Sequence, residues 1–244
     1  MKLVSIIIPY YQKKKFIEQT LKSIFNQKYK YFEVLIIYDD NDKKDLPFLK
    51  TLQKKDSRIK IVINQKNIGA GMSRNRGIKL SKGTFIAFVD SDDIWHPEKL
   101  KLQLNYMIKN KALISHTSYN IIDSNNRKIG FRKARKIEYR DLLKSCDIGL
   151  STVMIKKTLL KKEYFAKLKT KEDYILWLKL AKKKFVFYPI KKPLTSWRSL
   201  KNSLSSSIIQ KLLDGYFVYR TYLKQSFFKS LFSLLILFIN FLKK

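Results

Sequence analysis

Three carboxylates within four residues close an apolar run in this chain. Residues 85–93 read F-I-A-F-V-D-S-D-D and end on Asp90, Asp92 and Asp93. A short apolar run carrying β-branched Ile86 and Val89 suits a strand buried on both faces. Charge at this density does not stay in a core without compensation. In extended chain Asp90 and Asp92, two positions apart, project to the same side. Two oxygen ligands at the mouth of a sheet suit Mg²⁺ or Mn²⁺, held by one or two carboxylates together with substrate phosphates. Taken alone, the stretch also reads as a solvated acidic turn. A second acidic cluster, Asp39-Asp40-Asn41-Asp42, ends the apolar run 32–38. A third pair, Glu172 and Asp173, precedes apolar Ile175-Leu176-Trp177-Leu178, where acids favour the first turn of a helix.

The elements that must position these acids alternate. Residues 3–8 predict a strand stopped by Pro9, with a loop at 10–12 and a helix over 14–27, where Phe16, Ile17, Leu21, Ile24 and Phe25 recur at helical spacing. Strand 32–38, a polar helix to residue 55, strand 59–63, loop 67–71 and helix 72–80 lead into the strand at 85. Strand–helix alternation predicts an α/β fold with a parallel sheet, and ligands bind beyond the carboxyl ends of such strands. Two acidic strand ends in one sheet point to a nucleotide-plus-metal site. Gly69 and Gly71 lack the third glycine of the dinucleotide fingerprint, and no P-loop sequence occurs.

The 244 residues suffice for one large domain or two closely joined ones. A single cysteine, Cys146, excludes an internal disulfide framework and fits a reducing compartment. No leader is read at the start, and no run reaches the ~18 apolar residues that span a bilayer. The net charge is +33, with 43 Lys against nine Arg. Nucleic-acid readers favour Arg for its planar fork, so specific nucleic-acid recognition is not expected. Lysines spread through an Ile- and Asn-rich chain attribute part of the charge to codon bias; the rest points to an anionic surface or ligand.

The motifs in this order resemble the family 2 glycosyltransferases, which have a GT-A fold. The residues that carry the resemblance are Val4-Ser5-Ile6-Ile7-Ile8-Pro9-Tyr10-Tyr11, Leu21-Lys22-Ser23-Ile24-Phe25-Asn26-Gln27, the strand ending at Asp39-Asp40, Asn67-Ile68-Gly69, Arg74-Asn75, and Lys82-Gly83-Thr84 with the strand ending at Asp93. The resemblance covers about the first 115 residues. It implies that Pro9 and Tyr11 lie against the base of a nucleotide-sugar and that Asp39 contacts that base. It places Asp90 near the ribose, Asp92 on the metal bridging the diphosphate, and Arg74 near the phosphates or supporting the metal loop. Asn41 stands where the family commonly has Gly; Asn tolerates left-handed backbone best among non-glycines, so the turn is expected to survive.

Pro97 and Glu98 predict a helix start, with Leu100, Leu104, Met107 and Ile108 as its apolar face, and 112–119 predicts a strand. His96 and His116 lack metal-ligand spacing and read as structural. Residues 121–140 are a basic surface excursion opening the acceptor region. Residues 146–155 read as a buried strand, and the resemblance puts Ser151 and Thr152 beside the acceptor pocket. It also makes Asp173 the general base of an inverting transfer, with Glu172 in the acceptor region. Tyr174 stands where the family has Trp. Arg198 would stabilise departing charge, in a segment continuing through Asn202-Ser203-Leu204-Ser205. The Arg-Trp signature of processive synthases is absent, which implies addition of a single sugar.

Ser230 opens an uncharged run through Leu242, ~20 Å long as a helix and too short to span a membrane. Lys224, Lys229, Lys243 and Lys244 flank it. It reads as an interfacial helix on an anionic membrane, or as a face buried in a homodimer.

The division expected is a nucleotide-sugar-binding half over 1–115, an acceptor and base half over 116–215, and a hydrophobic C-terminal helix over 216–244. The expected activity is transfer of one sugar, with Mg²⁺ or Mn²⁺, from a nucleoside-diphosphate-sugar, UDP-linked by preference, to a saccharide or lipid-linked acceptor. Its expected place is the inner face of a bacterial cytoplasmic membrane, in lipopolysaccharide or capsule assembly. A sugar-phosphate nucleotidyltransferase shares the carboxylates and the nucleotide but leaves Glu172, Asp173 and the tail without a role. A non-enzymatic RNA-binding module suits the charge but not two acidic strand ends.

Overall fold

The computed structural model describes residues 1–161, 164–200 and 207–242. Its first four long strands are β1 (Val4–Tyr10), β2 (Phe32–Tyr38), β3 (Ile59–Ile63) and β4 (Phe85–Phe88), and all pair in parallel. Their connections are α1 (Lys14–Phe25), α2 (Leu46–Lys55) and α3 (Ala70–Leu80). Apolar runs with no polar alternation form β1, β2 and β4 because both faces are covered, while β3 lies at the edge and is partly exposed. Ile6, Ile8, Val34 and Ile36 pack in one core, and Ile7, Leu35, Ile37, Ile86 and Phe88 in another.

The second half continues the sheet with mixed polarity. β5 (Ile94–Trp95), α4 (Lys99–Lys109), β6 (Ile114–Ile122), β7 (Lys128–Arg132), β8 (Met154–Lys156), α6 (Glu172–Lys182) and β9 (Phe187–Arg198) follow, with a short α5 (Tyr139–Leu142) before β8. The strand order is β3-β2-β1-β4-β8-β6-β9-β5, with β7 on β6. This mixed α/β sheet meets the fold expectation. β1 is flanked by β2 and β4, so strand order reverses there, and a crevice at such a reversal is where open α/β sheets bind ligands.

Pro9 does not stop β1; it lies within it, opposite Ile37. The β1–β4 ladder ends at Ile7 and Phe88, where Val89 N–H donates to Ile7 O at 3.2 Å. Alternate residues face the same neighbour. The donor that Pro9 lacks therefore faces β4 after β4 has turned away. The acidic turn after β2 also forms differently. Asn41 has no left-handed backbone. Asp42 N–H instead donates to Asp40 Oδ1 at 3.2 Å, and Asn41 Oδ1 accepts Asn67 N–H at 2.7 Å. Ile108, assigned to the core face of α4, is exposed.

The chain continues through α7 (Ile208–Phe217), a π-helical turn (Val218–Tyr222) and α8 (Phe227–Leu242). Tyr216 thus lies within α7, and the long apolar helix begins at Phe227. Gly215 permits the close approach of the two helices: a Cβ there would meet Leu234 Cδ1 at 2.9 Å. Tyr219, fully buried, donates to Leu143 O at 2.9 Å and pins the pair to the body. No helix among the described residues is long and apolar enough to cross a membrane.

Candidate active site

The residues after β4 form a tight turn, not extended chain: Asp93 N–H donates to Asp90 O at 3.1 Å. Asp90 and Asp92 therefore take different partners. Asp90 Oδ1 meets Arg74 Nη2 at 2.6 Å, and Asp92 Oδ2 meets Lys13 Nζ at 3.0 Å. Three further elements hold the turn. Asp90 N–H donates to Ser151 Oγ at 3.0 Å, and Thr20 Oγ1 to Ser91 O at 3.2 Å. Arg198 Nε donates to Asp92 O and Arg198 N–H to Asp93 Oδ1, both at 2.8 Å. Asp93 is fully buried, and burial followed by its acidic neighbours raises its pKa well above the usual range.

Asp92 is the residue here that would hold a divalent cation. Burial raises this carboxylate's pKa and Lys13 opposes the rise, so a cation already stands at the oxygen a metal would take. No three acid, histidine or cysteine side chains converge as a ligand set among the described residues.

Arg74, on α3, turns its other terminal nitrogen to Glu172 Oε1 at 2.6 Å. It is 3% exposed and joins the turn to the first turn of α6. Gly71 makes this approach possible: a Cβ there would lie 2.8 Å from Ala166 O and 2.9 Å from Glu172 Cγ. Asp173 follows, its Oδ1 accepting Tyr174 N–H at 2.7 Å. Burial raises the Asp173 pKa, while Arg74, that hydrogen bond and Lys171 pull it back. Glu172 is likewise raised by burial, with Arg74 opposing.

The end of β1 supplies Pro9, buried, and Tyr11, 45% exposed beside left-handed Gln12 (φ 49°). Asp39 ends β2. Its carboxylate accepts Asn64 Nδ2 at 2.7 Å and the N–H groups of Ile68 and Gly69 at 2.9 and 2.8 Å. Gly69, at φ 86°, is the residue type that this left-handed turn requires. Asp39 thus shapes the 67–69 loop and retains acceptor capacity on Oδ2.

Three expected roles need correction. Ser151 and Thr152 sit on a 3₁₀ turn (Leu150–Thr152), not a strand, and both are buried. Their side chains serve the protein: Ser151 Oγ takes Asp90 N–H, and Thr152 Oγ1 donates to Gly149 O at 2.6 Å. They brace the turn and offer no acceptor surface. Arg198 is 3% exposed, and its guanidinium also donates to Asp123 O and Gln19 Oε1, each at 2.9 Å. Its contacts clamp the turn. Residues 202–205 lie outside the described residues.

His116 Nε2 lies 3.0 Å from Arg135 O. Lys13 was missed. Its only sequence signal was a place two residues after Tyr11, and Lys14 and Lys15 beside it look the same. The bracing role of Ser151 had no local signal at all, because its partner is 61 residues away.

Comparison with known proteins follows this geometry. The family model described as glycosyl transferase family 2 matches residues 5–169. The chain is 41% identical over 180 residues to the Escherichia coli UDP-Glc:alpha-D-GlcNAc-diphosphoundecaprenol beta-1,3-glucosyltransferase WfgD, covering 74% of this chain and 70% of that protein. It is 31% identical over 230 residues to Bacillus subtilis TuaG, named for teichuronic acid biosynthesis, covering 93% and 91%. Among solved structures, S. aureus TarS in complex with UDP-GlcNAc superposes with a TM-score of 0.72 at 24% identity, covering 90% of this chain and 65% of that one.

Proposed function

The chain belongs to the family 2 glycosyltransferases, and we propose that it moves one sugar, with inversion, from a nucleoside-diphosphate-sugar to a hydroxyl of a lipid-linked saccharide. The observation that carries this reading is the Arg74 bridge, which brings the donor-side Asp90 and the helix bearing Asp173 into one site. Pro9 and Tyr11 lie at the base, with Asp39 offering its remaining acceptor capacity. Asp90 faces the ribose. Asp92 holds Mg²⁺ or Mn²⁺, which when bound neutralises charge on the diphosphate. Lys13, which pairs with Asp92 at 3.0 Å, would be available to the donor phosphates were a metal to take its place. Asp173 takes the proton of the acceptor hydroxyl, on the face opposite the departing nucleoside diphosphate. Burial raises its pKa, which makes its carboxylate a stronger base than an ordinary aspartate.

The lipid-linked acceptor rests on two supports. WfgD is named for a diphosphoundecaprenol acceptor. The hairpin of α7 and α8 also exposes Ile209, Leu213, Phe228, Phe232, Leu235 and Leu242. An apolar face of this kind, flanked by Lys224 and Lys229 on a chain of net charge +33, complements an anionic bilayer surface. The protein works at the inner face of a bacterial cytoplasmic membrane in cell-surface polysaccharide assembly. Thermal shift with a panel of nucleotide-sugars in Mn²⁺ tests the donor half of this reading. The cognate donor raises Tm by mass action; no shift with any nucleotide-sugar contradicts it.

A further inference from the structure

Lys171, whose charge is felt by Asp173, and Lys211, on α7 of the apolar hairpin, are brought together next to the base. Lys171 takes left-handed backbone (φ 65°) immediately before Glu172 and Asp173. Its neighbour Thr170 is clasped to α7: its N–H and its Oγ1 both donate to Asp214 Oδ2 at 2.8 Å. Lys211 precedes Asp214 by three positions on α7, so the two share a helix face. The clasp therefore carries Lys211 to Lys171. Asp214 is already committed, since its other oxygen accepts Gln210 Nε2 at 3.0 Å.

Neither lysine pairs with an acid among the described residues, and both are half-buried. Lys211 Nζ lies 4.9 Å from the centroid of Phe241 on α8, and Lys171 Nζ lies 5.7 Å from that of Tyr174. The Lys211 pKa is lowered by burial first and by Lys171 second. Like charges gathered and partly desolvated in this way are relieved by an anion. Lys is a point-charge phosphate binder.

We propose that Lys171 and Lys211 bind the phosphate groups of a prenyl-diphosphate-linked acceptor, directing its sugar to Asp173 and its hydrocarbon chain along the exposed face of α7 and α8. The proposal rests on Asp173 being the base of a transfer to a lipid-linked sugar. It gives the hairpin a second task beyond membrane contact: fixing the distance between the anionic anchor and the reacting hydroxyl.

The test measures binding of three probes to the full-length protein: a short-chain prenyl diphosphate, the corresponding prenyl alcohol, and phosphatidylglycerol vesicles. Lys211→Gln should weaken the prenyl diphosphate roughly tenfold or more, as expected for losing a charged hydrogen bond, and leave the alcohol, the vesicles and the nucleotide donor unchanged. Lys211→Arg keeps the charge and should retain binding. Lys171→Asn, which tolerates the left-handed backbone, should act like Lys211→Gln. Wild-type protein that binds diphosphate and alcohol alike overturns the proposal. So does a Lys211→Gln variant that loses the vesicles and keeps the diphosphate, because the pair is then a headgroup contact. If the variants lose the diphosphate as expected and wild type transfers no sugar to any acceptor, the site stands and the transferase reading falls.

Discussion

Asp90 and Glu172 share one guanidinium. Arg74 reaches Asp90 Oδ1 and Glu172 Oε1 at 2.6 Å each, from a side chain 4% exposed. The donor-side turn and the helix carrying the base are thus held in register by one residue of α3. Arg74→Met should remove both bonds and leave Glu172 buried without its counter-charge. Breaking one partner of a buried pair costs about 3–5 kcal/mol, and partial exposure of Asp90 places the expected loss near the lower end. Arg74→Lys keeps a charge but does not span both acids. Urea unfolding measures the cost; a change within experimental error shows that the bridge is not part of the fold's support.

Asp92→Asn should leave the fold intact and abolish the metal dependence of donor binding, because the amide keeps the shape and loses the charge that holds a cation. Lys13→Met should act in the opposite sense on the protein without donor. With its competing ammonium removed from Asp92 Oδ2, Mn²⁺ should bind more tightly. Calorimetric titration of Mn²⁺ into both variants reads this directly. Equal Mn²⁺ affinity in wild type and Lys13→Met removes Lys13 from the metal site.

The raised Asp173 pKa has a sign in kinetics. Below that pKa the carboxyl is protonated and accepts no proton, so kcat/KM rises as pH rises through it, in a range above that of an ordinary aspartate. Lys171 lowers the Asp173 pKa, so Lys171→Asn should move the acid limb to higher pH. A limb that stays in place shows that another group limits the rate.

Membrane association should depend on the α8 face. Replacing Phe228, Phe232 and Leu235 with Ser should release the protein from phosphatidylglycerol vesicles in flotation and leave donor binding unchanged. High salt should weaken wild-type binding without eliminating it, since the lysine contribution is screened and the apolar one is not. Truncation from Tyr216 is a poorer test, because it deletes buried Val218 and Tyr219. If wild-type protein stays off the vesicles as a stable dimer, the face is a subunit interface.

The parallel half was readable from the chain wherever local pattern decides the outcome. β2 ends where its apolar run ends, because both of its faces need burial, and β3, at the sheet edge, also ends with its apolar run. Reading failed where a distant partner decides. Pro9 is tolerated because β4 has already left, and nothing near Pro9 says so. Asp90 and Asp92 were identified as site residues, but their divergence depends on Arg74 and Lys13. Ser151, Thr152 and Arg198 were given ligand roles, yet their partners are atoms of the turn and its neighbours, invisible before the sheet is assembled. The clasp between Thr170 and Asp214 crosses 44 residues and was equally hidden.

The most direct measurement joins chemistry to residue. Purified protein is incubated with Mn²⁺, its cognate nucleotide-sugar and a prenyl-diphosphate-linked saccharide, and released nucleotide and acceptor mass are followed together. The account predicts one nucleoside diphosphate released per single sugar gained, with the anomeric configuration inverted. It also predicts that Asp173→Asn binds donor normally and turns over roughly 10²-fold more slowly or worse. Release of pyrophosphate, or an Asp173→Asn variant that transfers sugar at the wild-type rate, would contradict it.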